Sequence, residues 1–147
     1  MKTKIWVGLA IAGGISVLGA ATTLAHHAFA AEFDANRPVN LQGKVTRVEW
    51  INPHAWIHID AVKEDGTKQG WMVEGGTPNT LLRRGITKDS LKIGTEIVVR
   101  GYQSKDALCT PKCRANGRDV TFPDGRKLFM GSSGTGAPKD GSDGEEK

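Results

Sequence analysis

No hydrophobic run in this 147-residue chain reaches membrane-spanning length. The longest, Ile5 to Leu18, is diluted by glycine and alanine and falls short of the roughly 20 apolar residues a helix needs to cross a bilayer. Lys2 and Lys4 precede it and small residues follow, so residues 1–25 read as a secretory signal. Two cuts fit the small-residue rule: after Thr23-Leu24-Ala25, releasing His26, and after Ala28-Phe29-Ala30, releasing Ala31. No cysteine stands at either cut, so a lipoprotein anchor is not expected. Cysteine is scarce altogether, with two residues. Aromatic residues make up only 6% of the chain, so the few tryptophans must supply much of any buried area. Neither sign of charge dominates. Residues 26–130 carry 16 basic minus 12 acidic side chains, a mild +4 that is a poor footprint for nucleic acid. Also missing are a serine-histidine-acid set with recognisable context, a glycine-rich phosphate loop and a metallopeptidase helix, so no standard catalytic motif is present.

The ends of the chain do not belong to the folded unit. Residues 131–147 are glycine, serine and alternating charges, with too little apolar surface to offset their ordering entropy. What remains, residues 26–130, is one small domain with a modest core. Inside an exported domain, Cys109-Thr110-Pro111-Lys112-Cys113 reads as a disulfide closing a short loop. The spacing is not that of a thioredoxin-like redox centre, and a two-cysteine metal site would lack nearby partners.

The stretch Glu49-Trp50-Ile51-Asn52-Pro53-His54-Ala55-Trp56-Ile57-His58-Ile59-Asp60 organises the domain. Asn-Pro breaks it at a turn. Beyond the turn, Ala55, Ile57 and Ile59 alternate with His54, Trp56, His58 and Asp60, which predicts a central strand with one aliphatic and one aromatic-polar face. A first strand enters at Pro38, and its broken phase around Val48 and Trp50 calls for a bulge or bend near Gly43. Asp65-Gly66 marks a hairpin into a third strand, Gln69 to Glu74. Thr77-Pro78 opens a short helix that Gly85 ends, and Thr87 caps a further turn. Strands follow over Thr95 to Tyr102, Asn116 to Thr121 and Lys127 to Met130. This is a mainly β pattern: five or six strands with one short helix after the third, the pattern of a small OB-like barrel.

Several stretches together resemble a known family. They are His26-His27-Ala28-Phe29-Ala30-Ala31-Glu32-Phe33-Asp34, Gly43-Lys44-Val45, the Glu49 to Trp56 segment, Pro78 to Gly85, Arg114 to Arg118 and Asp124 to Phe129. The family is an uncharacterised one of exported bacterial proteins, domain of unknown function 6152. The resemblance implies a periplasmic β-rich domain and brings no activity with it. Two departures stand out: His-His-Ala-Phe replaces the usual His-His-Ser-Phe opening, and the loop cysteines are added. The resemblance also favours the cut after Ala25.

That cut would leave His26 with a free amine beside its imidazole, a chelate suited to copper(II). His27 or His54 would add a nitrogen, with Glu49 and Asp34 as acidic partners. His58 lies four strand residues from His54, about 13 Å away, and does not join them. A second chemistry rests on Trp50, Trp56 and Trp71, which could stack on a flat ligand or cover a partner protein. Arg83 and Arg84 lie at the wrong end of their helix to hold an anion by its dipole, while Arg100, Arg114 and Arg118 would form a basic patch if folding gathered them. The sequence points first to a periplasmic binding or accessory module holding copper at the mature N-terminus. A metal-independent barrel binding a protein or small ligand, and a small copper-dependent enzyme, are the alternatives.

Overall fold

A computed structural model describes residues 29–131 of the chain. The expected signal segment, both histidines at the expected mature terminus and the polar tail lie outside the described residues, apart from Gly131. After a helical lead-in over residues 29–32, six strands and one further helix follow in order: β1 (Phe33–Glu49), β2 (Trp56–Val62), β3 (Lys68–Glu74), α1 (Pro78–Arg83), β4 (Glu96–Ser104), β5 (Cys113–Thr121) and β6 (Lys127–Phe129).

The strands make one six-stranded sheet in the order β3-β2-β1-β4-β5-β6. The expected OB-like barrel is therefore corrected to a rolled sheet. β3 does reach β5, but the contact is parallel and covers only Trp71–Glu74 against Cys113–Asn116. β6 occupies the rest of β5, pairing Asp119 to Thr121 with Phe129 to Lys127, and extends the sheet past that contact. The strand count and the helix after the third strand agree with the sequence pattern. β2 is central, between β1 and β3.

The long first strand explains its own irregular pattern. Val45 pairs with Ile59 and Arg47 with His58, so one extra residue, Thr46, is inserted between them. This bulge flips the parity: Val45 and Val48 both turn toward the core, while Arg47 and Glu49 turn outward. The bend expected near Gly43 thus falls three residues later. Gly43 has a different job, close approach. A Cβ there would collide with the Asp60 carbonyl oxygen, so only glycine lets β1 and β2 meet. Gly101 in β4 is the counterpart, where a Cβ would collide with the Asn116 carbonyl oxygen of β5.

The inner face of the roll is aliphatic. Ile57, Ile59, Val73, Ile97, Val99 and Val120 are fully buried there. At one end, Leu81 of α1 is buried with Ile86, Leu91 and Met130, closing the roll as a plug. Burying each such side chain contributes roughly 1.5–3 kcal/mol. Thr77 caps α1, its hydroxyl accepting from the Thr80 N–H at 3.1 Å. Thr87 and Ser90 exchange hydrogen bonds in a turn rather than a second helix. A second cluster, Phe29, Phe33 and Tyr102, packs outside the roll, with Phe29 and Tyr102 edge to face at 5.6 Å.

Candidate functional site

Opposite the α1 plug, the roll is open. A cleft of about 640 Å³ lies there, lined by Asn40, Leu41, Ala61, Val62, Lys63, Glu64, Asp65, Gln69, Trp71, Cys109 and Cys113. Four of these, Leu41, Ala61, Trp71 and Cys113, are members of the main core. The cleft is therefore the mouth of the hydrophobic interior, and its floor is made by side chains that also hold the sheet together. The rim is polar: the β2–β3 turn supplies Lys63, Glu64 and Asp65. Asp65 is committed to the turn itself, accepting from the Thr67 N–H at 2.9 Å and the Thr67 hydroxyl, and those bonds hold its carboxyl below the usual range. Gln69 is held by donating to the carbonyls of Gly70 and Cys109. The volume falls within the roughly 300–1,000 Å³ common for small-ligand sites.

The cleft wall is fixed by the Cys109–Cys113 disulfide, as the cysteine spacing predicts. It ties the β4–β5 loop back onto the start of β5, beside Trp71.

The outer face of the same strands is polar, as the alternation in β2 requires. His58 is only 4% exposed. Its Nε2 lies 3.0 Å from Glu49 Oε1 and its Nδ1 3.1 Å from Lys112 Nζ. An ammonium can only donate and a carboxylate can only accept, so the arrangement calls for a neutral ring that accepts at Nδ1 and donates from Nε2. Burial, then the Lys112 charge, lowers the His58 pKa, against the raising effect of Glu49. Arg47 completes the row, 3.2 Å from Glu49. A second polar group gathers at the far end of β3. Glu74 is buried, receives a long 3.4 Å hydrogen bond from Asn116 Nδ2 and lies 3.5 Å from His54 Nδ1. Its pKa is raised, chiefly by burial and with Glu32 adding, while His54, Arg114 and Asn116 pull the other way. Arg114 binds Glu32 at 3.0 Å and sits 5.6 Å from the Trp56 ring centroid.

These placements redraw the expected sites. The three tryptophans are not brought together: Trp71 lines the cleft, Trp56 stands on the outer face beneath Arg114, and Trp50 packs against the core edge. The expected copper site rests on residues outside the described part of the chain. His26 and His27 lie outside the described residues, His54 has its Nδ1 beside the Gly75 carbonyl and Glu74, and Asp34 binds Arg37 and the Asn36 N–H. Among the described residues no group of three or more His, Cys, Asp or Glu side chains is placed to hold a metal ion. The basic patch does not form as a unit: Arg100 makes a two-pronged pair with Asp119, Arg114 goes to Glu32, and Arg118 is buried. Arg84 stacks on Phe129 at 4.4 Å and donates to the Gly131 carbonyl. Sequence reasoning misses the cleft and the Glu49–His58–Lys112 row. The parity of β2 puts His58 outward, but only the bulged register brings Glu49 beside it.

The chain belongs to the Family of unknown function (DUF6152), whose model matches residues 15–111. The match spans β1 to β4 and ends within the disulfide loop. A search of curated proteins finds no match to this chain. No helix among the described residues is long and apolar enough to cross a membrane.

Proposed function

We propose that this protein is an exported, periplasmic binding or accessory domain that takes a small, partly apolar ligand into the cleft at the open end of the rolled sheet, without a metal. The cleft floor carries the reading. Core side chains rarely stay within reach of solvent, yet Trp71, Leu41 and Ala61 line an opening large enough for a flat organic molecule. The indole supplies a stacking surface, and Gln69, Asn40 and the turn residues Lys63 and Glu64 supply polar contacts at the mouth. Export is supported by the signal-like residues 1–25 and by the disulfide, a bond that persists in oxidising compartments. Phe29 favours processing after Ala25, because a cut after Ala30 would remove it from its buried contacts with Phe33 and Tyr102.

An aromatic anion, 1-anilinonaphthalene-8-sulfonate, serves as the test probe. It is expected to bind saturably with one site per chain. Val62→Trp narrows the cleft from an exposed position without touching the core and is expected to weaken binding by about tenfold or more, roughly 1.4 kcal/mol. Equal affinity in the two proteins would contradict the reading.

A further inference from the structure

Lys112 is held in position from three sides. The disulfide closes the loop that carries it. Its stem lies across Gly70 of β3, where a built Cβ would come within 3.1 Å of Lys112 Cγ, so the missing side chain makes the passage. Its ammonium then reaches His58 Nδ1 at 3.1 Å, while Glu49 holds the other ring nitrogen at 3.0 Å. Amine, imidazole and carboxylate stand in the order of a nucleophile, its base and the group that orients the base. The lysine remains half-buried rather than enclosed.

We infer that Lys112 is a nucleophilic amine site that condenses with aldehydes, with His58 moving the proton and Glu49 positioning His58. This goes beyond the cleft reading and does not rest on it. In the first step the Lys112 ammonium passes a proton to His58 Nδ1, the freed Nζ pair forms a bond to the carbonyl carbon, the carbonyl π pair moves onto oxygen, and one of the two protons left on Nζ transfers to that oxygen to give the neutral carbinolamine. Glu49 stabilises the imidazolium formed between them. In the second step the carbinolamine hydroxyl takes that proton back from His58 and leaves as water, giving a protonated imine at Nζ. One aldehyde is consumed, one water is released and no oxidation state changes. A ring held neutral by burial is in the protonation state the first step needs.

The test is competitive labelling of the full exported protein at pH 7 with limiting propanal, trapped by cyanoborohydride and mapped by peptide mass. Lys44, Lys63, Lys68 and Lys127 serve as internal references. Lys112 is expected to be alkylated about tenfold faster than these or more, the low end of what a positioned base contributes. His58→Gln is expected to bring Lys112 down to the reference rate and leave the references unchanged. Glu49→Gln keeps a hydrogen-bond acceptor but removes the charge, and is expected to lower the Lys112 rate in part. Glu49 is partly solvent-exposed, so this second variant keeps the inference open to refutation whatever His58→Gln does to folding. A wild-type Lys112 that reacts no faster than the references would overturn the inference. So would a raised rate that survives both substitutions.

Discussion

Glu74 and His58 sit on the same outer face and have opposite pH signatures. Burial raises the Glu74 pKa, so the folded state holds its proton more tightly than the unfolded chain does. Its contribution to stability is complete below the ordinary glutamate value of 4.5 and is lost as pH rises through the folded value. His58 is lowered by burial and by Lys112, so the unfolded chain protonates first as pH falls below 6.5, and stability is lost in that direction. Glu74→Gln removes a buried charge while keeping an acceptor for Asn116. Thermal unfolding should show this variant more stable than wild type at pH 7, with the gap closing toward pH 4.5. A variant less stable at pH 7 would mean that the attraction of His54 and Arg114 outweighs the desolvation of the carboxylate. Asp119 is different, because its charge is matched. Arg100 grips it at 2.7 Å and 3.0 Å with Lys127 nearby, so Asp119→Ala leaves that pair broken and should cost about 2–3 kcal/mol in denaturant unfolding.

At the scale of elements, local chemistry is the legible part. Thr77, Pro78 and Gly85 bracket the helix as their cap, first-turn and terminator roles require, and Asp65-Gly66 turns β2 into β3. The β2 alternation separates core from surface without any knowledge of contacts. Element ends are less legible. β1 begins at Phe33 rather than Pro38, and β5 at Cys113 rather than Asn116, because ladder pairing with β4 and β3 recruits residues of weak strand character. The bulge lies in the expected strand but at a different residue, since a phase break shows that a residue is extra without showing which one. Two substitutions test elements directly. Thr77→Ala should cost about 1 kcal/mol, the usual contribution of a helix cap. Gly101→Ala should cost about 1–3 kcal/mol, since β4 must move away from the Asn116 carbonyl. A neutral Gly101→Ala in denaturant titration would show that β4 and β5 do not approach so closely.

Across the whole molecule, strand number and helix position are readable from the sequence, while closure is not. Closure depends on which edges meet. The β3–β5 contact joins residues about 40 apart in parallel, with no local turn to announce it, and β6 then takes over the remaining edge. The same long-range joining makes the cleft, whose wall combines β1, the β2–β3 turn, β3 and the disulfide loop. Trp50, Trp56 and Trp71 have equal standing in the sequence, and only the sheet separates them, placing Trp71 alone of the three at the cleft. The direct measurement is amide chemical-shift mapping of the protein titrated with 1-anilinonaphthalene-8-sulfonate. Saturable shifts gathered on Leu41, Ala61, Val62, Gln69 and Trp71 are the expected result. Shifts that never saturate, or that gather instead around Trp56 and Arg114, would contradict the assignment of the open end as the binding site.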